Sequence, residues 1–147
     1  MSDIREEGLS ALLHETRTFP PSAEFAKQAN AQPGIDAEDG KRPGGSAIYY
    51  LLLEGEASAP HRVDAAELWH FYDGDPLELR REWTDGRSDV QVLGPDVMSG
   101  QSPQVVVDAG VWQSARPLGR YALVGATVTP AFVFEGFELR QDPAGPR

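Results

Sequence analysis

The hydrophobic positions of the chain change rhythm near residue 46. Before it, Ile4, Leu9, Leu12 and Leu13 recur at the spacing of one helix face, until Phe19-Pro20-Pro21 stops the segment. Ser22 is placed to cap a second short helix through Lys27, with Glu24 in its first turn. From Asn30 to Gly45 the composition turns to Pro, Gly, Asp and Lys and the apolar period disappears, which predicts a loop. Such a long structureless connection is uncommon inside a compact domain, so residues 1–45 read as a helical or irregular arm.

After Ser46 the period shortens and strand follows strand. Residues 47–53 are an unbroken apolar run rich in Tyr, Ile and Leu, the pattern of a strand buried on both faces. Residues 57–63 come next, with Pro60 expected at an edge or bend. Residues 67–72 are aromatic-rich and close on the turn Asp73-Gly74, while 77–83 and 89–93 flank the hairpin signature Thr84-Asp85-Gly86-Arg87. Residues 104–108, 112–115, 121–127 and 132–139 complete the series, punctuated by Ala109-Gly110, Pro117 and Pro130. About nine short strands at spacings of roughly 8–12 residues, with no βαβ alternation, predict an all-β sandwich or barrel. Residues 46–141 form this domain and 142–147 a short tail.

Composition narrows the function classes. The 147 residues and 40% hydrophobic content suit one globular domain. With no cysteine, disulfides, thiolate metal sites and cysteine nucleophiles are excluded together. The net charge of −10 and the pI near 4.6 oppose binding to a polyanion, and the only lysines are Lys27 and Lys41. Nucleic acid is therefore not an expected partner. No run approaches the roughly 18 apolar residues of a membrane span, and the first residues lack an apolar signal core. No membrane partner and a cytoplasmic location are the expectations.

Candidate chemistry gathers between Gly55 and Gly74, where His61, Glu67 and His70 fall together. Alternation puts His61 and Val63 on one face of their strand, and Glu67, Trp69 and Phe71 on one face of the next. If both faces turn inward, an imidazole and a carboxylate enter one apolar pocket. That pair suits a metal ion held by N and O, or an acid–base pair whose pKa values burial would shift. The same alternation sends His70 to the opposite face unless a bulge intervenes. Tyr50, Trp69 and Phe71 could stack on a ligand, although aromatic residues on strands are more often core. Gln104 and Gln113 could add polar contacts to the pocket wall.

Gly55-x5-His61-x-Val63-x3-Glu67-x6-Gly74 resembles the first cupin motif, G-x5-H-x-H-x3-E-x6-G, at all positions but one. Asp108-Ala109-Gly110-Val111-Trp112-Gln113 stands in the place of the second, P-x-G-x2-H. The blocks S-A-I-Y-Y-L-L, H-R-V-D-A-A-E-L-W-H-F-Y-D-G, P-Q-V-V-V-D-A-G-V-W-Q and Y-A-L-V-G-A-T-V-T-P resemble the cupin family catalogued as DUF985 over about residues 46–139. This resemblance implies a cupin double-stranded β-helix, or jelly roll, holding a small-molecule cavity and pairing as a homodimer. In metal-binding cupins three histidines and a glutamate hold the ion. Here His61 and Glu67 match, Val63 replaces one histidine and Gln113, a weak ligand, another. No cofactor is required by these residues, and a weakly bound divalent metal at His61, Glu67 and Gln113 is the one candidate. The P-E-G-G-x-[FY] motif that usually opens the family is absent. Residues 12–34 instead resemble the start of acetyl-CoA synthetases, without any adenylate-forming core.

What the resemblance implies is a pocket for a polar, carbohydrate- or nucleotide-sugar-like ligand and isomerase or epimerase chemistry. His61 would be the base, Glu67 its orienting partner and Gln113 a hydrogen-bond donor, with Trp69, His70, Gln104, Tyr50 and Phe71 contacting the ligand. The alternatives are a ligand-binding or regulatory module without turnover and a metal-dependent cupin enzyme.

Overall fold

The computed structural model describes Arg42 and residues 44–140. The helices expected in the arm, His14 and the tail 142–147 lie outside the described residues. Nine strands follow in order: β1 (Ser46–Leu53), β2 (Ser58–Val63), β3 (Ala66–Gly74), β4 (Leu77–Glu82), β5 (Ser88–Leu93), β6 (Gln104–Val107), β7 (Trp112–Pro117), β8 (Tyr121–Thr129) and β9 (Phe137–Leu139). They make one sheet ordered β1-β8-β3-β6 and another ordered β5-β4-β7-β2-β9. Every pairing between these strands is antiparallel. The two sheets form a jelly roll, the sandwich that the strand pattern predicts with the topology that the cupin resemblance implies.

Alternation along each strand decides what enters the space between the sheets. On β4, Leu77 and Leu79 are fully buried while Glu78 and Arg80 face outward. They pack with Leu52, Leu93, Val107, Ala122 and Val124 into one cluster, each large side chain contributing about 1.5–3 kcal/mol by burial. The β4–β5 hairpin turns at Thr84–Arg87 as expected. Gly86 takes φ 93°, and Trp83 N–H and Gly86 N–H donate to the carbonyls of Arg87 and Trp83.

Three details depart from the strand pattern. β1 is an edge strand that is not covered on both faces: Tyr49 and Leu53, which point away from the sheet interior, and Ile48, which points into it, are all nearly half exposed. The strand buried at almost every position is β8, which lies between β1 and β3. Residues 132–139 are not one strand; a 3-10 turn at Phe134–Gly136 precedes the short β9. Pro60 does sit at an irregularity, because the β2–β7 register shifts between Ser58 and His61. Just before β1, Arg42 ties the incoming chain down. Its guanidinium grips Asp64 at 3.0 and 2.7 Å and its Nε donates to the Ala131 carbonyl at 2.8 Å.

Candidate functional site: a cavity with a buried carboxyl

Between the sheets one end of the sandwich is not filled, leaving a cavity of about 420 Å³. Its walls are largely apolar: Ile48 from β1, Val63 from β2, Val128 from β8, and Phe132, Phe137 and Leu139 from the C-terminal segment. His61, Glu67, Trp69 and Tyr50 also face it. Alternation explains the set. On β3, Glu67 and Trp69 point in and His70 points out; on β2, His61 and Val63 share the inner face.

Behind the cavity a polar relay crosses between the sheets. Trp69 Nε1–H donates to Gln113 Oε1 at 2.7 Å, and Gln113 Nε2–H donates to Glu67 Oε2 at 2.7 Å. An indole only donates, so it fixes which end of the amide faces it, and the NH₂ must turn to the carboxyl. Both Gln113 and Glu67 are buried. Burial pushes the Glu67 carboxyl up to about 7, against the smaller opposing pull of the Gln113 amide. His61 lies opposite Gln113 in the β2–β7 register and beside the Phe137 ring, 5.5 Å between centroids. Its Nδ1 is 2.8 Å from the Ala59 carbonyl, an acceptor only, so Nδ1 carries the proton and Nε2 keeps its lone pair. Burial holds the imidazole below its ordinary pKa, the Ala59 bond opposing, so it is neutral near pH 7. The cavity thus presents a neutral base and a carboxyl that burial makes harder to ionise.

A divalent metal does not fit these groups. No cluster of three or more His, Asp or Glu side chains with metal-binding geometry occurs among the described residues. Gln113 has spent its oxygen on Trp69 and turns donor hydrogens toward Glu67, and Val63 offers no donor atom. The oxygen of Gln113, the weak ligand expected, is thus aimed at the Trp69 indole and its NH₂ at Glu67.

Other expected contacts separate from the cavity. His70 lies on the outer face of its sheet, 3.2 Å from Thr127 Oγ1 and stacked on Tyr72 at 6.2 Å. Gln104 is its partner in the β3–β6 register and is exposed on the same side, and Phe71 packs against the core cluster instead. Trp69 and Tyr50 do face the cavity, with their rings 6.2 Å apart. Sequence reasoning missed the walls built by Ile48, Phe132, Phe137 and Leu139. The aromatic Phe132 and Phe137 were the available signal.

The family model described as Cupin superfamily (DUF985) matches residues 14–140. The chain belongs to the cupin superfamily. The match reaches back well beyond Ser46 and takes in most of the stretch that resembles acetyl-CoA synthetases; nothing in the comparisons supports that second resemblance. Among solved structures this cupin is similar to a protein of Shewanella oneidensis, 34% identical with a TM-score of 0.68, covering 76% of this chain and 71% of that one. A hypothetical protein of Leishmania major is 26% identical with a TM-score of 0.65, over 72% and 70% of the two chains. A dTDP sugar isomerase of Desulfovibrio desulfuricans, 16% identical with a TM-score of 0.58 over 78% and 71%, shares the fold. No curated protein matches the chain.

Proposed function

We propose that this cupin binds a small molecule in the cavity and moves protons on it, with isomerisation or epimerisation as the reaction class. The arrangement that supports it is an imidazole Nε2 with a free lone pair and a buried, hydrogen-bonded carboxyl lining one apolar cavity. His61 Nε2 would take the proton from a carbon next to a carbonyl, while protonated Glu67 gives its own to the carbonyl oxygen. Reversing the transfers at the neighbouring carbon yields the isomer. If the enediol first turns over in the cavity, His61 returns the proton to the other face of the same carbon and Glu67 takes back its own from the oxygen, which yields the epimer. Protons balance and no electrons leave the substrate. Gln113 holds the Glu67 carboxyl in place and Trp69 fixes the amide, so both are positioning residues.

Deuterium wash-in tests this. In D₂O the protein is expected to exchange the carbon-bound proton next to the carbonyl in at least one of glyceraldehyde, dihydroxyacetone, xylose and fructose. His61→Ala should slow the exchange by roughly 10²-fold or more. No exchange above the solvent rate by the wild-type protein would overturn the catalytic reading. It would leave a binding module without turnover, which the largely apolar walls favour as the second reading.

We also propose that the chain pairs as a homodimer. The exposed Tyr49 and Leu53 on edge strand β1 support this, since an uncovered apolar edge invites pairing. Light scattering at the monomer mass of 16.0 kDa would refute it.

A further inference from the structure

We infer that the ligand of this cavity is an uncharged molecule with an apolar face and a hydroxyl- or carbonyl-bearing end, and not a phosphorylated or carboxylated one. This rests on the pocket reading above and narrows its ligand class.

The walls set the apolar face. Phe132, Phe137, Ile48 and Leu139 offer carbon surface, and a ligand's ring or chain replaces water there. The polar end is set by the two titratable groups: His61 Nε2 accepts one hydrogen bond, and the Glu67 carboxyl donates or accepts according to its protonation. Both requirements are met by a hydroxyl next to a carbonyl.

Charge decides the rest. No Lys or Arg side chain among the described residues lines the cavity. Among the described residues, the arginines nearest in the chain to its lining are already engaged. Arg42 grips Asp64 and the Ala131 carbonyl. Arg62 is paired with Glu138 at 2.7 Å and lies over the Trp112 ring, while Arg140 pairs with Glu82 and lies over the same ring. An anionic ligand would enter an apolar space with no countercharge and with a carboxyl facing it. Burying a charge without a partner costs several kcal/mol, and recruiting Arg42 would break its ion pair and its carbonyl bond. Nor does a helix N-terminus substitute for a cation, since the only helical elements among the described residues are two single 3-10 turns.

Three probes sharing one ring test this: benzyl alcohol, benzoate and benzyl phosphate, titrated into the full chain at pH 7.5 while the Trp69 indole N–H is followed by NMR. Benzyl alcohol is expected to shift that signal and to bind at least roughly ten-fold more tightly than either anion. Ile48→Trp, which fills the cavity from a partly exposed edge position that tolerates change, should abolish the shift in a protein that still folds. Benzoate or benzyl phosphate binding as tightly as the alcohol, with the same Trp69 shift, would overturn the charge inference and leave the pocket reading standing. No shift from any probe at millimolar concentration would overturn both.

Discussion

The two ends of this sandwich are built from the same alternating strands and come out differently. At one end Leu77, Leu79 and Leu93 are fully buried and cluster with Val107 and Val124. At the other, small residues such as Ala126, Ser58 and Ala59 line the space together with Ile48 and Phe137, and a cavity remains. Trp69 belongs to both, packed in the core cluster and bordering the cavity. Its indole anchors the relay to Gln113 and Glu67 where filled space gives way to empty space. The packed end supplies the stability that lets the hollow end keep a buried, partly protonated carboxyl.

The sharpest way to break the comparison is truncation on each side. Leu79→Ala leaves a void in tightly packed surroundings and is expected to cost about 2–5 kcal/mol. Ile48→Ala, at a partly exposed position already bordering a cavity, should cost less than about 1 kcal/mol. Urea midpoints of the two variants measure both. Equal losses would mean that the hollow end carries as much of the stability as the packed one.

Next in size is the pH dependence carried by Glu67. Its carboxyl rises from an ordinary 4.5 to about 7 on folding, worth on the order of 3 kcal/mol. With the folded value above the unfolded one, this support is complete below the unfolded value and is lost as pH rises through the folded one. His61 runs the other way: its folded value is depressed, so its contribution holds above its unfolded pKa and fades on acidification. Glu67→Gln should therefore remove the loss of stability between pH 4.5 and about 7 while leaving the acid-side loss from His61 in place. A wild-type melting temperature that does not fall across that window relative to that of Glu67→Gln would contradict the burial of the carboxyl.

A smaller effect is expected at Gln113. Gln113→Leu keeps the bulk but leaves the Trp69 N–H and the Glu67 carboxyl without their partner, at about 1–3 kcal/mol. The amide holds the Glu67 pKa down, so its loss should move the midpoint of the pH–stability curve upward. A drop in stability with an unmoved midpoint would show that Gln113 packs without tuning the acid.

How much of this was legible before folding depends on how local each feature is. The inward pairing of His61 with Val63 and of Glu67 with Trp69, and the outward turn of His70, follow from alternation within one strand. The exposure of β1 does not, because an apolar run looks the same at the edge of a sheet as in its middle until the strand order is known. The relay was hidden for a similar reason. Trp69 and Gln113 are 44 positions apart, and Gln113 and Glu67 are 46 apart, joined only once the sheets face each other. Sequence comparison marked Gln113 as a substituted ligand, whereas the fold makes it a spacer between an indole and an acid.

That distinction yields the smallest expected effect, which is none. Zn²⁺ or Mn²⁺ added to the wild-type protein should leave its melting temperature unchanged, since one imidazole nitrogen and a half-protonated carboxyl make a poor donor set. The null result needs a partner that reverses it. Val63 shares the inner face of β2 with His61, and Gln113 lies across from His61 on β7 and bonds to Glu67, so Val63→His with Gln113→His would add two imidazoles beside His61 and Glu67. Metal at about 100 times its dissociation constant should then stabilise the double variant by about 2.7 kcal/mol. It should also pull the Glu67 carboxyl back toward ionisation and flatten the alkaline side of the stability curve. A stoichiometric metal that raises the wild-type melting temperature would mean that the relay opens to release Gln113 Oε1, and the hollow end would then have to be read as a metal centre in a closed resting form.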